Sequence, residues 1–326
     1  MSIVEVNIFG GKFLMKRIYF LVAGLVAIGA YGQMPMMQEP GEVELAGIDY
    51  GYLPDLGGTE IHNYNVNLNL AKPIGKSIIG LGLTYRYFDF TFDESTNVLD
   101  LSSYENMHVV RTNLLFIRPL KNEWTMMISA GPTLMSNFAN GISSEDLVFN
   151  ALGAVNKRWG DFDRNTVLML GVFYGTQFGE PRVLPAILLR QKLNHHWSYS
   201  FGLPITGINY RINDRHRISA MVSPEGLFGN NSNAVAVDGN RILTDTKIQF
   251  NGINTRLLYR YRFTKHLAFV AEGGFVPGAT LKIVDNENDE IFDLEPGSGA
   301  YFKFGIRFAL KRPPQNKNLN TDDNEN

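Results

Sequence analysis

Cysteine is absent from the 326 residues. That excludes disulfides, thiolate metal sites, a cysteine nucleophile and the lipid-modified cysteine of a lipoprotein N-terminus. An excess of either charge is also missing. The formal net charge is -2, so no global basic field draws nucleic acid, and no RNA- or DNA-reading motif is present. Long apolar runs are nearly lacking, with a single one near the start, which together with 32 glycines and 12% aromatics argues against a helical membrane protein. The chain carries no GxGxxG or Walker loop after a strand, no nucleophile elbow and no HExxH zinc motif. No Pro/Gly/Ser-rich linker divides its middle, so one domain is expected.

The one apolar run has the layout of a signal peptide. Met15, Lys16 and Arg17 form a basic start, Ile18 to Ala30 is apolar, and Ala30-Tyr31-Gly32 has the small-x-small form that precedes cleavage. Residues 1–32 are read as a signal peptide, with 1–14 an over-extended start and Met15 the natural initiator. A periplasmic segment, 33–42, is expected to follow, then a barrel over 43–310 and a disordered periplasmic tail over 311–326.

What the chain does have is alternation. In "HNYNVNLNL", residues 62–70, period-two geometry puts Tyr64, Val66, Leu68 and Leu70 on one face and Asn63, Asn65, Asn67 and Asn69 on the other. Strand-like segments of about ten residues recur to the C-terminus, beginning near Val43, Ile61, Ser77, Met107, Trp124, Leu147, Thr166, Pro185, Trp197, Ile205, Arg217, Asp245, Leu267 and Gly299. Short connections such as Lys72 to Lys76 alternate with long ones such as Phe92 to Asn106. An all-β, antiparallel, up-and-down barrel of 12 to 14 strands follows, 14 being the better count, with tight turns at one end and long loops at the other. The segment "WSYSFGLPITGINYRI" is its weak point, because two short strands must share a corner at Leu203-Pro204.

Tryptophan placement and the last strand say what surrounds the barrel. Trp124, Trp159 and Trp197 all lie within or beside short turns, where an indole suits a membrane interface. In "AYFKFGIRFAL", Phe302, Phe304, Ile306, Phe308 and Leu310 share a face, and Lys303, Gly305 and Arg307 share the other. Rings out and charges in is the inverse of a soluble protein. Lys303, Gly305, Phe308 and Leu310 resemble the C-terminal assembly signal of outer-membrane barrels. With the signal peptide, the Gln33 start and "YRINDRHRISAMVSP", the mature chain is similar to a group of gram-negative outer-membrane barrels catalogued only as a domain of unknown function. The resemblance implies insertion by the barrel assembly machinery and contact with outer-membrane lipid and lipopolysaccharide, and it supplies no mechanism. In that setting the asparagine row faces a hydrated lumen.

Parity places Arg256, Arg260 and Arg262 inward on one strand, Glu272 on the next, Lys303 and Arg307 on the last, and Asp49 and Arg211 elsewhere. These charges suit a constriction for small polar solutes, but Glu272, placed between two basic strands, is better read as paired across the wall in a plug that holds the barrel shut. The loop "DNENDE" (Asp285 to Glu290) offers alternate oxygens but is no EF-hand, since Glu290 stands where glycine is required. Of six histidines only His62 and His108 follow longer loops, and Ser102 and Ser103 precede His108 without any supporting motif. No catalytic residue, cofactor or metal is expected. The first function expected is a passive channel for small polar solutes. The alternative is a non-conducting structural or binding barrel working through its outer loops, and a hydrolase near His108 comes a distant third.

Overall fold

The computed structural model describes residues 42–93, 99–161, 164–237 and 241–311. The expected signal peptide lies outside them, as do the N-terminal segment and the tail except for Glu42 and Lys311, which end strands. The first strands are β1 (Glu42–Leu53), β2 (Thr59–Ile74), β3 (Ser77–Phe92), β4 (Asn106–Pro119), β5 (Trp124–Ser136) and β6 (Leu147–Gly160). Next come β7 (Asn165–Gly175), β8 (Arg182–Lys192), β9 (Trp197–Leu203), β10 (Thr206–Arg211) and β11 (His216–Asn231). The last six are β12 (Val235–Val237), β13 (Arg241–Leu243), β14 (Thr246–Arg262), β15 (Leu267–Val284), β16 (Glu290–Asp293) and β17 (Gly297–Lys311). Five expected starts, at Ser77, Trp124, Leu147, Trp197 and Leu267, coincide with observed ones. The β12–β13 hairpin and β16 sit inside segments expected to be plain loops.

Fourteen of these strands pair antiparallel with their neighbours, and β17 pairs with β1 to close the cylinder. Closure satisfies every strand edge, which a sheet in hydrocarbon requires. The doubtful segment is two short strands, β9 and β10, so the up-and-down order is kept, but the connection between them is only Pro204-Ile205 and breaks the alternation of short and long connections there.

Side chains sort by parity. On β2, Tyr64, Val66, Leu68 and Leu70 point outward and are exposed while Asn65, Asn67 and Asn69 are buried inward. On β17, Phe304 and Phe308 are 46% and 38% exposed, whereas Arg307 is 3% exposed. A continuous apolar outer band of this kind is an interface with lipid. Aromatic stacks border it. At the long-loop rim Tyr50, His62, Tyr64, Tyr87, His108 and Phe138 form a chain of neighbouring rings. At the short-turn rim Trp197 packs on Tyr210, His216 on Tyr261 and His266 on Phe308.

The wall is uneven in height. Strands β9 and β10 have 7 and 6 residues, against 16, 17 and 18 in β11, β14 and β15. Above the low stretch the ends of β5 and β11 meet across the interior, with Asn137 N–H donating to Asn230 O at 3.1 Å. The loop after β7 reaches over to β11 and abuts Gly226, where a Cβ would run into the backbone of Thr176 and Gly179. Only glycine allows that approach.

The interior therefore differs from a hydrated tube. Long loops turn inward at their end of the barrel, and Leu56, Leu101, Tyr104 and Val235 pack against the inward Phe90, Met107, Ile248 and Leu281 as one apolar cap. Tyr104 is fully buried and its hydroxyl is hydrogen-bonded to Thr246 Oγ1 at 2.6 Å; burial pushes its pKa up. A second apolar cluster, including Leu152, Met169, Phe173 and Leu188, covers the inward face of the low side.

Candidate functional site

Beneath the cap lies a chamber of about 230 Å³. Its lining mixes ionic and apolar side chains on the same strands. Seven arginine and lysine side chains face three glutamates, Glu44, Glu225 and Glu272, and the apolar Met221, Leu258 and Val270 stand opposite Arg256, Glu272 and Arg260 in the strand register.

The local sequence explains how each charge is held. Asp49 sits opposite Gly305 and Arg307 opposite Gly47 in the β1–β17 register, so long charged groups lie over residues without side chains. A Cβ on Gly305 would collide with Asp49 Oδ1. Into that space Arg307 extends, its Nη2 at 2.5 Å from Asp49 Oδ1 and its Nε at 3.1 Å from Glu44 Oε1. Asp49, 2% exposed, accepts a further hydrogen bond from Asn65 Nδ2 at 2.9 Å. A buried ionic network with this many partners is the form in which charge survives removal from water.

The asparagine row belongs to this packing. Asn63 pairs across the sheet with Gly51, Asn67 with Gly47 and Asn69 with Gly82, and Asn67 Nδ2 donates to Glu44 Oε1 at 3.5 Å. The amides face inward: Asn65, Asn67 and Asn69 are buried among glycines and carboxylates, and Asn63 borders a pocket of about 60 Å³ under the cap.

Of the other residues expected on the lumen, Arg256, Arg260, Glu272, Lys303 and Arg307 all line the chamber. Glu272 stands opposite Lys303, 3.9 Å from its Nζ, and accepts from the Tyr301 hydroxyl at 3.4 Å. Arg211 borders a separate pocket of about 40 Å³ near the short turns, with His195 and His196. Glu44, Arg86, Arg111, Arg217 and Glu225 also line the chamber without standing out in the sequence, and for Arg86 and Arg111, on β3 and β4, a signal is there. Their alternation with the outward Tyr85, Tyr87 and Val110 would have found them. Arg86 is 3.9 Å from Glu225 Oε1, and Arg111 Nε donates to Thr133 Oγ1 at 3.1 Å.

The tryptophans lie at the short-turn rim. Trp159 and Trp197 are exposed, and Lys157 Nζ stands 5.8 Å from the centre of the Trp124 ring. His108 faces outward, stacked on Tyr85 and Tyr87, whereas Ser103 Oγ accepts from the fully buried Asn231 inside the cap. The two are not brought together. His62 is engaged by Glu60 Oε1 at 3.0 Å and the Tyr50 hydroxyl at 2.8 Å. Among the described residues no group of three or more His, Asp or Glu side chains is placed to hold a metal. In the Asp285 to Glu290 loop, Asp285 Oδ1 instead accepts from the backbone of Glu287 and Asp289.

The model of one family, described as Domain of unknown function (DUF6268), matches residues 59–309. The chain belongs to that family. No curated protein matches it. Among solved structures, LpxR from Salmonella typhimurium is 8% identical with a TM-score of 0.40, covering 81% of this chain and 99% of that one. A NanC porin is 11% identical with a TM-score of 0.35 over 81% of this chain and 98% of its own. Outer membrane phospholipase A from Escherichia coli is 12% identical with a TM-score of 0.32, covering 84% and 95%. These likenesses are at low identity and low TM-score, and the names among them include a porin and a phospholipase.

Proposed function

We propose that the protein is a closed outer-membrane barrel that works by binding, within its chamber and through its outer loops, rather than by free passage of solute. The apolar cap carries this reading: a mouth filled by packed side chains has no water path for an ion. The signal peptide delivers the chain to the periplasm, the barrel assembly machinery inserts it through β17, and the outer loops contact lipopolysaccharide. Reconstituted in planar bilayers, the mature protein is expected to give no steady current at either polarity. A reproducible ohmic conductance would overturn closure.

Passive permeation of small polar solutes is the second reading, supported by the charged layer beneath the cap; it requires the cap to move. A non-catalytic role is supported by the separation of His108 from Ser103, which leaves neither base nor nucleophile with the other.

A further inference from the structure

We infer that the chamber is a binding site for a compact oxyanion of the phosphate class. The inference rests on the closed-barrel reading only for the chamber's isolation from the outside.

Charge balance is the first ground. Four of the chamber's cationic side chains, Arg86, Arg111, Arg256 and Lys303, face two glutamates, Glu225 and Glu272. Like charges enclosed away from bulk water are costly unless an opposite charge compensates them. Elsewhere in this interior the compensation is built in, as for Arg307 with its two carboxylates. On the β3–β4 side it is not. Arg111 lies opposite Thr84 in the β3–β4 register, one diagonal step from Arg86, and two guanidinium groups so placed repel each other. Arg86 has Glu225 at the limit of ion-pair distance. Arg111 has the Thr133 hydroxyl and, among the described residues, no carboxylate within ion-pair reach.

Donor geometry is the second ground. Arg256 Nε is buried without a hydrogen-bond partner among the described residues, although its side chain lines the chamber beside Glu225 and Glu272. A buried guanidinium nitrogen left unsatisfied is expensive. An oxyanion satisfies several forked donors at once, and the planar fork of arginine matches phosphate oxygens. Arg111, Arg86, Arg256 and Lys303 surround the space it would fill. The chamber's volume of about 230 Å³ admits phosphate or a small phosphate monoester.

The shared chemistry is a phosphate dianion, free or as a lipid headgroup. The test uses the full mature barrel in phosphate-free detergent. Inorganic phosphate in one arm and short-chain phosphatidic acid in the other are titrated at constant ionic strength, with chloride as the reference. Stabilisation against thermal unfolding by free phosphate assigns a soluble ligand, and stabilisation by the lipid alone assigns a headgroup; either supports the site. In both Arg111→Gln and Arg256→Gln, affinity should fall about tenfold or more, while Arg211→Gln, outside the chamber, should bind normally. No stabilisation beyond chloride, or equal weakening by all three variants, would overturn the proposal. Bilayer current reads closure separately, so failure of one does not mimic failure of the other.

Discussion

The two sides of the barrel solve the same problem differently. From β11 through β14, β15, β17 and β1 to β3 the strands are tall, and their inward faces carry Arg256, Glu272, Arg307, Asp49 and the asparagine row. From β7 to β10 they have 11 residues or fewer, and here and on the adjoining β6 the inward faces carry Leu152, Met169, Phe173 and Leu188. The tall strands extend beyond the apolar band and need inward groups that hold the cap, hence Phe90, Ile248 and Leu281 near their tops and ions below. The low strands end early and are roofed by the loop resting on Gly226. Inside a membrane barrel, charge is kept where a partner strand can offer glycine to make room for it, and packing fills the rest.

The comparison is sharpened by removing one element from each side. Arg307→Ala should be the most damaging change, because it strands Asp49 and Glu44 in the interior: a loss of about 3–5 kcal/mol is expected. Denaturant unfolding of the folded barrel in detergent measures it, and adding Asp49→Asn should recover part of the loss. On the low side, Leu188→Ala removes packed volume without exposing a charge. Its cost should be about 2–5 kcal/mol and insensitive to the Asp49 substitution. If Leu188→Ala and Asp49→Asn prove strongly coupled, the two sides are not independent.

Much of this was legible from alternation. Period two on β2 and β17 separates Phe304 from Arg307 correctly because lipid outside and packing inside impose opposite demands on adjacent residues. Strand starts were legible because turn residues punctuate the pattern. Parity gives a face and no depth, so it turns Asn67 and Asn69 inward without showing how closely they pack against the facing glycines. The cap was illegible for a different reason. Leu101, Tyr104 and Val235 lie in irregular segments, and nothing periodic tells an inward-folded loop from one in solvent. The "NNS" at 230 to 232 matches a glycosylation pattern by chance, whereas Asn230 and Asn231 in fact join β11 to the other wall and the cap.

Closure of the outer mouth is tested most directly by reaching for the chamber from outside. The natural chain has no cysteine, so a single introduced thiol reports one position. Ser223→Cys places it on the chamber wall, and Ile142→Cys places it on an outer loop where the side chain is 71% exposed. With a polymer-linked maleimide added to intact cells, Ile142→Cys should label quickly, while Ser223→Cys should stay unlabelled until the barrel is denatured. Equal labelling rates in the folded barrels would contradict a closed mouth.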